Sequence, residues 1–399
     1  MPSKPQYAAG VDVGSAWTRA VAAVVEDDRV RYLGHGEIES LGWTRGRIAD
    51  QQAISACIQA AVQQAEAEAQ VSIDRLVAGI GGSSVDGNNH RGVYEFGRPR
   101  PIAAEDLAYA AERASRVRMD ADRCLLHVFP QDFTLDGRAG YRNPKGSSCS
   151  RLEANVYIMT AAAQEHECLV SAVHQAHFAV EETVFEPVAA AYAALLAEDR
   201  TRGVALIDIG LHSTDIVVYD QEALILAKSL PICADHFTRD VAYGLKVSYE
   251  DAERLKIEYG CAMLGLTSDH SLIEVPSAEG RPAREASRMQ LNDILEARAE
   301  QLFDMVRLEL AKIGMEQNLY EGVALTGGGA VLNGMCDMAE RVLNCPARNG
   351  LPSGIQNWPD DLDNPTWTTA AGLAMYSARL KMKREWKRKA PGLVGMFLR

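Results

Sequence analysis

The chain has 399 residues and a formal net charge of −13, with 47% hydrophobic and 24% charged residues. That is the balance of a globular protein with room for more than one hydrophobic core, and at roughly 100–200 residues per compact unit it holds two to four. The acidic balance argues against nucleic acid as the main partner, because neutralising phosphates needs clustered Lys and Arg, and no stretch approaches the ~20 apolar residues of a spanning helix.

The first ten residues carry no apolar run after their charges, so no signal peptide is expected. From residue 8, A-A-G-V-D-V-G is an apolar strand ending in Asp12 and Gly14. Strands are predicted at Thr18–Val25 and Val30–Ile38, separated by the turn Glu26-Asp27-Asp28, which makes a meander. Asp50 is a good N-cap, and Ile54, Cys57, Ile58, Ala61, Val62 and Ala65 follow with helical spacing. Leu76–Ile80 then reads as a buried strand.

The opening pattern returns two hundred residues later. G-V-A-L-I-D-I-G, residues 203–210, ends in Asp208 and Gly210. Strands are predicted at Thr214–Tyr219 and Leu224–Ser229, a helix at Tyr249–Tyr259, a long amphipathic helix over Leu291–Ile313, and a strand over Gly322–Leu325 that feeds Thr326-Gly327-Gly328-Gly329. Two halves that each open with an Asp-x-Gly hairpin and continue into helices point to a duplicated α/β domain. The eight cysteines are scattered with no Cys-x-x-Cys pair. They read as small hydrophobes in a reducing cytoplasm rather than as a metal or disulfide framework.

This arrangement suits a phosphate chain. Glycine turns let the backbone approach phosphate oxygens, and successive N–H groups form an anion nest. A carboxylate beside each turn can hold Mg²⁺ through its waters. Asp12 and Asp208 are therefore the candidate metal residues, and Gly14, Ser15, Ala16, Gly210, Ser213 and Thr214 the candidate phosphate cradle. Gly327, Gly328 and Gly329 offer a backbone against which a flat purine can lie.

These motifs resemble the actin, heat-shock chaperone and sugar-kinase superfamily. Asp12-Val13-Gly14-Ser15 is similar to its phosphate 1 motif, residues 186–191 (E-P-V-A-A-A) to connect 1, residues 208–215 to phosphate 2, Thr326–Gly329 to the adenosine motif and Ala370-Ala371-Gly372-Leu373 to connect 2. The segment L-H-V-F-P-Q-D-F-T-L at residues 126–135, with N-P-K-G at 143–146 and R-L-E-A-N-V at 151–156, resembles the 1C subdomain that distinguishes the FtsA family of division proteins from actin and MreB. The resemblance runs from about Tyr7 to about Lys389.

It implies duplicated actin-like (ribonuclease H-like) domains with an FtsA-type 1C insertion. The implied boundaries are subdomain 1A at 1–81 and 167–200, 1C at 82–166, 2A at 201–229 and 319–378, 2B at 230–318, and a basic membrane-targeting tail at 379–399. It implies binding of ATP with Mg²⁺, turnover that is slow at most, self-association into filaments, and tethering of FtsZ at the cytoplasmic face of the inner membrane at the division site, among other division proteins. Glu186 is the candidate for ordering an attacking water, or else only a stiffener of a strand end. Lys256 matches a position near the ribose, or is a surface lysine.

Arg281, Arg284, Arg288 and Arg298 form the candidate FtsZ-tail site, since Arg forks suit carboxylates; the alternative pairs them with Glu285, Glu296 and Glu300. Trp386, Lys387, Arg388, Leu393 and Phe397 are the candidate membrane contacts within a run of basic residues, Arg379 to Arg399; a frayed basic terminus is the alternative. The chain departs from the family pattern at Leu211 and His212, where phosphate 2 usually has two more glycines, and at Trp17, where phosphate 1 often has Lys. His212 is expected to be a solvated loop residue, and Trp17 to pack on its hairpin. A PilM-type pilus-assembly scaffold and a nucleotide-free relative of the same fold are the competing readings.

Overall fold

A computed structural model describes residues 6–268, 270–276 and 282–389, the last five by backbone alone. Its framework is one sheet topology built twice. Strands β1 (Gln6–Val13), β2 (Trp17–Glu26) and β3 (Arg29–Glu39) form the expected antiparallel meander. A small hairpin, β4 (Trp43–Thr44) and β5 (Arg47–Ile48), leads to α1 (Gln51–Ala69) and β6 (Arg75–Ile80). The Asp50 carboxylate accepts from the Gln52 and Ala53 amides and starts α1, satisfying donors that lack intrahelical partners.

A separate four-stranded sheet follows. It comprises β7 (Val85–Pro101), β8 (Arg123–Leu135), β9 (Arg138–Tyr141) and β10 (Ser148–Ala162), in the order β7-β10-β8-β9, with α2 (Ala104–Ser115) packed on it. The chain then returns through α3 (Ala163–Gln175), β11 (Ala179–Phe185) and α4 (Glu186–Ala194), completing a first sheet ordered β11-β6-β1-β2-β3.

After α5 (Ala197–Arg202) the second lobe begins with β12 (Val204–Ile209), β13 (Thr214–Asp220) and β14 (Ala223–Leu230). Next come α6 (Ala234–Leu245), α7 (Tyr249–Tyr259), a two-stranded pair β15 (Leu272–Val275) and β16 (Arg284–Ser287), and α8 (Arg288–Lys312). Strand β17 (Val323–Thr326), α9 (Met335–Leu343) and β18 (Ala347–Asn349) finish a sheet ordered β14-β13-β12-β17-β18. In both sheets the first three strands are antiparallel and the next two join in parallel. Each sheet has its own apolar core, one around Val11, Ile54, Leu76 and Phe185, the other around Ile207, Leu295, Phe303 and Leu325.

The last helix, α10 (Thr368–Lys389), returns to the first lobe and crosses α4. A Cβ on Gly372 would lie 2.0 Å from the Ala189 carbonyl oxygen, and one on Gly10 would lie 2.4 Å from the Ala374 amide nitrogen. Glycine at these positions lets α10 seat on both α4 and β1.

The basic run expected as a tail therefore begins inside a docked helix. Lys381 and Arg384 both pair with the fully buried Glu181 of β11, at 3.1 and 2.7 Å. Arg379 stacks on Tyr192, and the Tyr376 hydroxyl donates to Glu182 at 2.8 Å. These groups are engaged within the fold. Leu393 and Phe397 lie outside the described residues, as do the side chains of Trp386, Lys387 and Arg388.

Replacing Gly372 with Ala is expected to cost about 1–3 kcal/mol, because the crossing helices must separate. Gly265→Ala is the control, since nothing lies within 4 Å of a Cβ there, and it is expected to stay within about 0.5 kcal/mol. Urea unfolding of both variants measures the difference.

Candidate functional site

The two Asp-x-Gly hairpins face each other across the cleft between the lobes. The β1–β2 turn, Gly14-Ser15-Ala16, is tight enough that a Cβ on Gly14 would sit 2.7 Å from the Trp17 carbonyl oxygen. The β12–β13 turn is closed by the Gly210 amide donating to the Ser213 carbonyl at 2.9 Å. Its outer side is braced by α6, whose Ala234 and Asp235 amides donate to the Gly210 and Leu211 carbonyls, both at 3.0 Å.

A cavity of about 480 Å³ lies between them, within the range of small-molecule and cofactor sites. Asp12, Gly14, Ser15, Ala16, Glu186, Asp208, Gly210, Ser213, Lys256, Gly327, Gly328 and Gly329 all line it. Residues up to 317 positions apart in sequence thus meet at one place.

Three carboxyl groups, Asp12, Glu186 and Asp208, line the floor, and a fourth, Asp215, is buried beside it. Burial is the main cause that raises each of them above the ordinary carboxylate range. Asp12 is pushed up to about 6, moderated by Arg19. Asp208 is pushed up to about 7, moderated by the Thr369 hydroxyl that donates to it at 2.8 Å. Glu186 lies well above its usual range, from burial and then from the charges of Asp12, Asp215 and Asp208. Asp215 is raised by burial and restrained first by the Ser229 hydroxyl, then by the Gly82 amide and Ser213 Oγ, which both reach its Oδ2 at 3.0 Å.

The Gly82 bond joins the lobes directly beneath the cleft. Glu186 is seated over glycines: a Cβ on Gly81 would lie 2.2 Å from Glu186 Oε2. Among the described residues no three His, Cys, Asp or Glu side chains converge as an all-protein metal cage. The acidic floor of Asp12, Glu186 and Asp208 instead suits a hydrated divalent cation that keeps several waters.

The structure corrects three expectations. Thr214 is fully buried as the first residue of β13 and does not line the cavity; strand alternation turns it inward, and Ser213 beside it supplies the hydroxyl. Trp17 does not pack away on its hairpin: it is 41% exposed and forms part of the cavity wall. His212 is not a solvated loop residue. It is half-buried in the cavity wall with an unpartnered Nδ1, and burial pushes its pKa below the usual histidine value, with Asp235 opposing, so it is neutral at pH 7 rather than a cation.

Lys256 is buried rather than on the surface. It donates to Glu253 at 2.7 Å and to Thr238 at 2.9 Å while its side chain lines the cavity. Arg284 and Arg288 donate to the Leu245 and Tyr259 carbonyls at 2.9 and 2.7 Å, and Arg298 pairs with Asp240 at 2.5 Å. The expected partners Glu296 and Glu300 bind Arg341 instead. Arg281 lies outside the described residues.

Several wall residues carried no sequence expectation: Thr369, Arg19, Phe237, the Gly81-Gly82-Ser83 turn, and Trp43, Arg45 and Gly46 of the β4–β5 hairpin. The Gly-Gly-Ser run after a buried strand was a legible signal for the turn. The hairpin had none, because its distant partner, the β12–β13 turn, is set by tertiary structure.

A two-lobed duplicated sheet enclosing a cleft of this kind is the actin-like fold, and solved structures agree. A PilM–PilN type IV pilus biogenesis complex matches with TM-score 0.66 at 17% identity, covering 93% of this chain and 98% of that one. MreB5 of Spiroplasma citri bound to ADP matches with TM-score 0.57 at 14% identity, covering 95% and 98%.

Sequence comparison is more specific. The family model for cell division protein FtsA matches residues 205–372, and that for the SHS2 domain inserted in FtsA matches residues 82–160. The cell division protein FtsA of Borreliella burgdorferi is 35% identical over 92% of this chain and 90% of its own length. Those of Pseudomonas aeruginosa and Escherichia coli K12 are 32% and 30% identical over 92% and 98% of this chain, and 88% and 95% of their own lengths. The chain belongs to the cell division protein FtsA family.

The carboxyl cluster predicts a pH dependence. Folded-state values above the unfolded ones mean that the folded chain binds more protons, so these groups favour folding at low pH and oppose it as pH rises. For Asp12 and Asp208 the window runs from about 4 to about 7. Without nucleotide, the melting temperature of Asp208→Asn relative to the native chain is expected to increase between pH 5 and pH 8. Parallel thermal melts across that range check it.

Proposed function

We propose that this chain binds ATP with Mg²⁺ between its lobes and acts as a division scaffold that polymerises at the inner membrane and tethers FtsZ to the septal ring. The observation that carries the nucleotide reading is the convergence of both Asp-x-Gly turns, Glu186 and the three glycines after β17 on one cavity. Its apolar wall, Phe237, Ile257, Val331 and Leu332, lies on the side of the second lobe and fits a purine, with Gly327, Gly328 and Gly329 alongside. Lys256 would meet the ribose. The amides of Gly14, Ser15, Ala16, Gly210 and Ser213 would hold the phosphates.

Asp12 and Asp208 would hold Mg²⁺ through waters, and the cation supplies charge neutralisation to a floor whose carboxyls oppose one another when all are ionised. Nucleotides named in solved actin-like neighbours, ADP and AMPPNP in Spiroplasma citri MreB5, support this class of ligand. Glu186 is held toward its neutral form, which already carries its proton and cannot take up another, so we assign it the ordering of a water rather than proton abstraction. This fits slow turnover at most.

The scaffold role rests on family membership and on surfaces. Subdomain 1C (residues 82–166) and subdomain 2B (230–318) are the parts of this reading that carry protein contacts. Arg284 is exposed and Arg288 is half-buried. Among the described residues each makes one carbonyl bond, which leaves further guanidinium donors over, so these two, with Arg281, are the assigned contacts for the acidic FtsZ tail. Arg298 is committed to Asp240. Among the described residues no helix is long and apolar enough to cross a membrane. Peripheral attachment is assigned to the segment from Trp386 onward, because Arg379, Lys381 and Arg384 are engaged within the fold.

A fluorescent ATP analogue titrated in Mg²⁺ against native protein and Asp208→Ala tests the site. Saturable micromolar binding to native protein, weakened at least about tenfold in the variant, is expected for loss of one charged contact. No binding to native protein overturns the nucleotide reading and leaves a nucleotide-free scaffold.

A further inference from the structure

We infer that the β4–β5 hairpin is a third phosphate-binding element, and that Arg45 at its tip contacts the terminal phosphate of a bound nucleoside triphosphate. The inference rests on the nucleotide reading of the cleft and adds a residue that discriminates triphosphate from diphosphate. Trp17 stands where a phosphate-attracting lysine was expected, and the other cations on the cavity wall are committed. Arg19 pairs with Glu37 at 2.7 Å, and Lys256 is held by Glu253 and Thr238. Arg45 lines the same wall, is exposed, and among the described residues has no ion pair or hydrogen bond.

The tip is held in place for this role. Trp43 and Ile48 pack against the first core, and Arg47 lies 3.7 Å from Glu165. The hairpin base is closed by the Ala49 and Asp50 amides, both donating to the Gly42 carbonyl at 2.8 and 3.0 Å. Arg45 and Gly46 form the two-residue turn, with φ of 51° and 75°. That is the geometry of tight β-hairpin turns, and it is unusual for an arginine. Held in the left-handed region by its turn, Arg45 is positioned by the backbone rather than by a partner side chain, leaving its fork available for a phosphate.

The tip also meets the opposite lobe. A Cβ on Gly46 would come 3.2 Å from the His212 Cβ, so glycine lets the hairpin close against the β12–β13 turn. Arg45 and Gly46 line the cavity beside His212 and Ser213 of the β12–β13 turn, one of the two turns assigned to the phosphates, which places Arg45 by the phosphate chain rather than the base. The neutral His212 with its unpartnered Nδ1 offers no competing charge there.

The test uses the full chain and its Arg45→Ala and Arg45→Lys variants. Affinities for fluorescent ATP and ADP analogues in Mg²⁺ are measured by titration, with thermal melts to establish folding. Arg45→Ala is expected to weaken the triphosphate about tenfold or more and the diphosphate less than about threefold, as for loss of one charge-assisted contact. Arg45→Lys is expected to recover part of the loss, because it keeps the charge but not the planar fork. If the native chain binds both nucleotides and Arg45→Ala changes both equally or neither, the hairpin assignment is overturned while the cleft reading stands. If the native chain binds neither, both fall.

Discussion

Three carboxyl groups, Asp12, Glu186 and Asp208, line one cleft with Asp215 buried beside them, and much of the surrounding structure is explained by that constraint. Like charges in a poorly solvated site cannot all ionise without compensation. The fold supplies compensation locally: Arg19 near Asp12, Thr369 on Asp208, and Ser213 with the Gly82 amide on Asp215. Two of these donors come from the opposite lobe or its returning helix, so the same bonds that moderate the carboxyls also hold the lobes together. A cation entering this floor would relieve the remaining repulsion, which ties ligand binding to the relation between the lobes.

The returning helix makes that coupling mechanical. α10 crosses α4 through Gly372 and Ala189 and lies on β1 through Gly10 and Ala374. α4 begins at Glu186, and α10 carries Thr369 in its first turn, so both helices that bridge the lobes end in the cleft. Tyr157 of the inserted sheet adds another link, donating to the Ala227 carbonyl of the second lobe at 3.0 Å. A change at the cleft therefore acts on rigid, closely packed elements.

Much of this was legible in the sequence. The two Asp-x-Gly turns announced the duplicated meander because apolar strands and tight turns are local signals, and the long helix starting near Leu291 followed from its period. What was not legible depends on contacts far apart in the chain. Thr214 looked like a cradle residue until strand register turned it inward. The charge state of His212 depends on burial by neighbours that the loop sequence does not specify. Lys381 and Arg384 read as part of a free basic run, but Glu181, two hundred residues earlier, claims both. Arg45 sat in an ordinary turn with no motif, and only its approach to His212 brings it to the cleft.

Amide hydrogen exchange with and without Mg²⁺ and ATP tests the central claim most directly. The account predicts that the turns at residues 14–16, 210–213 and 327–329 gain protection together, since one ligand spans both lobes. Protection confined to one lobe, or no change in any of the three turns, would contradict it.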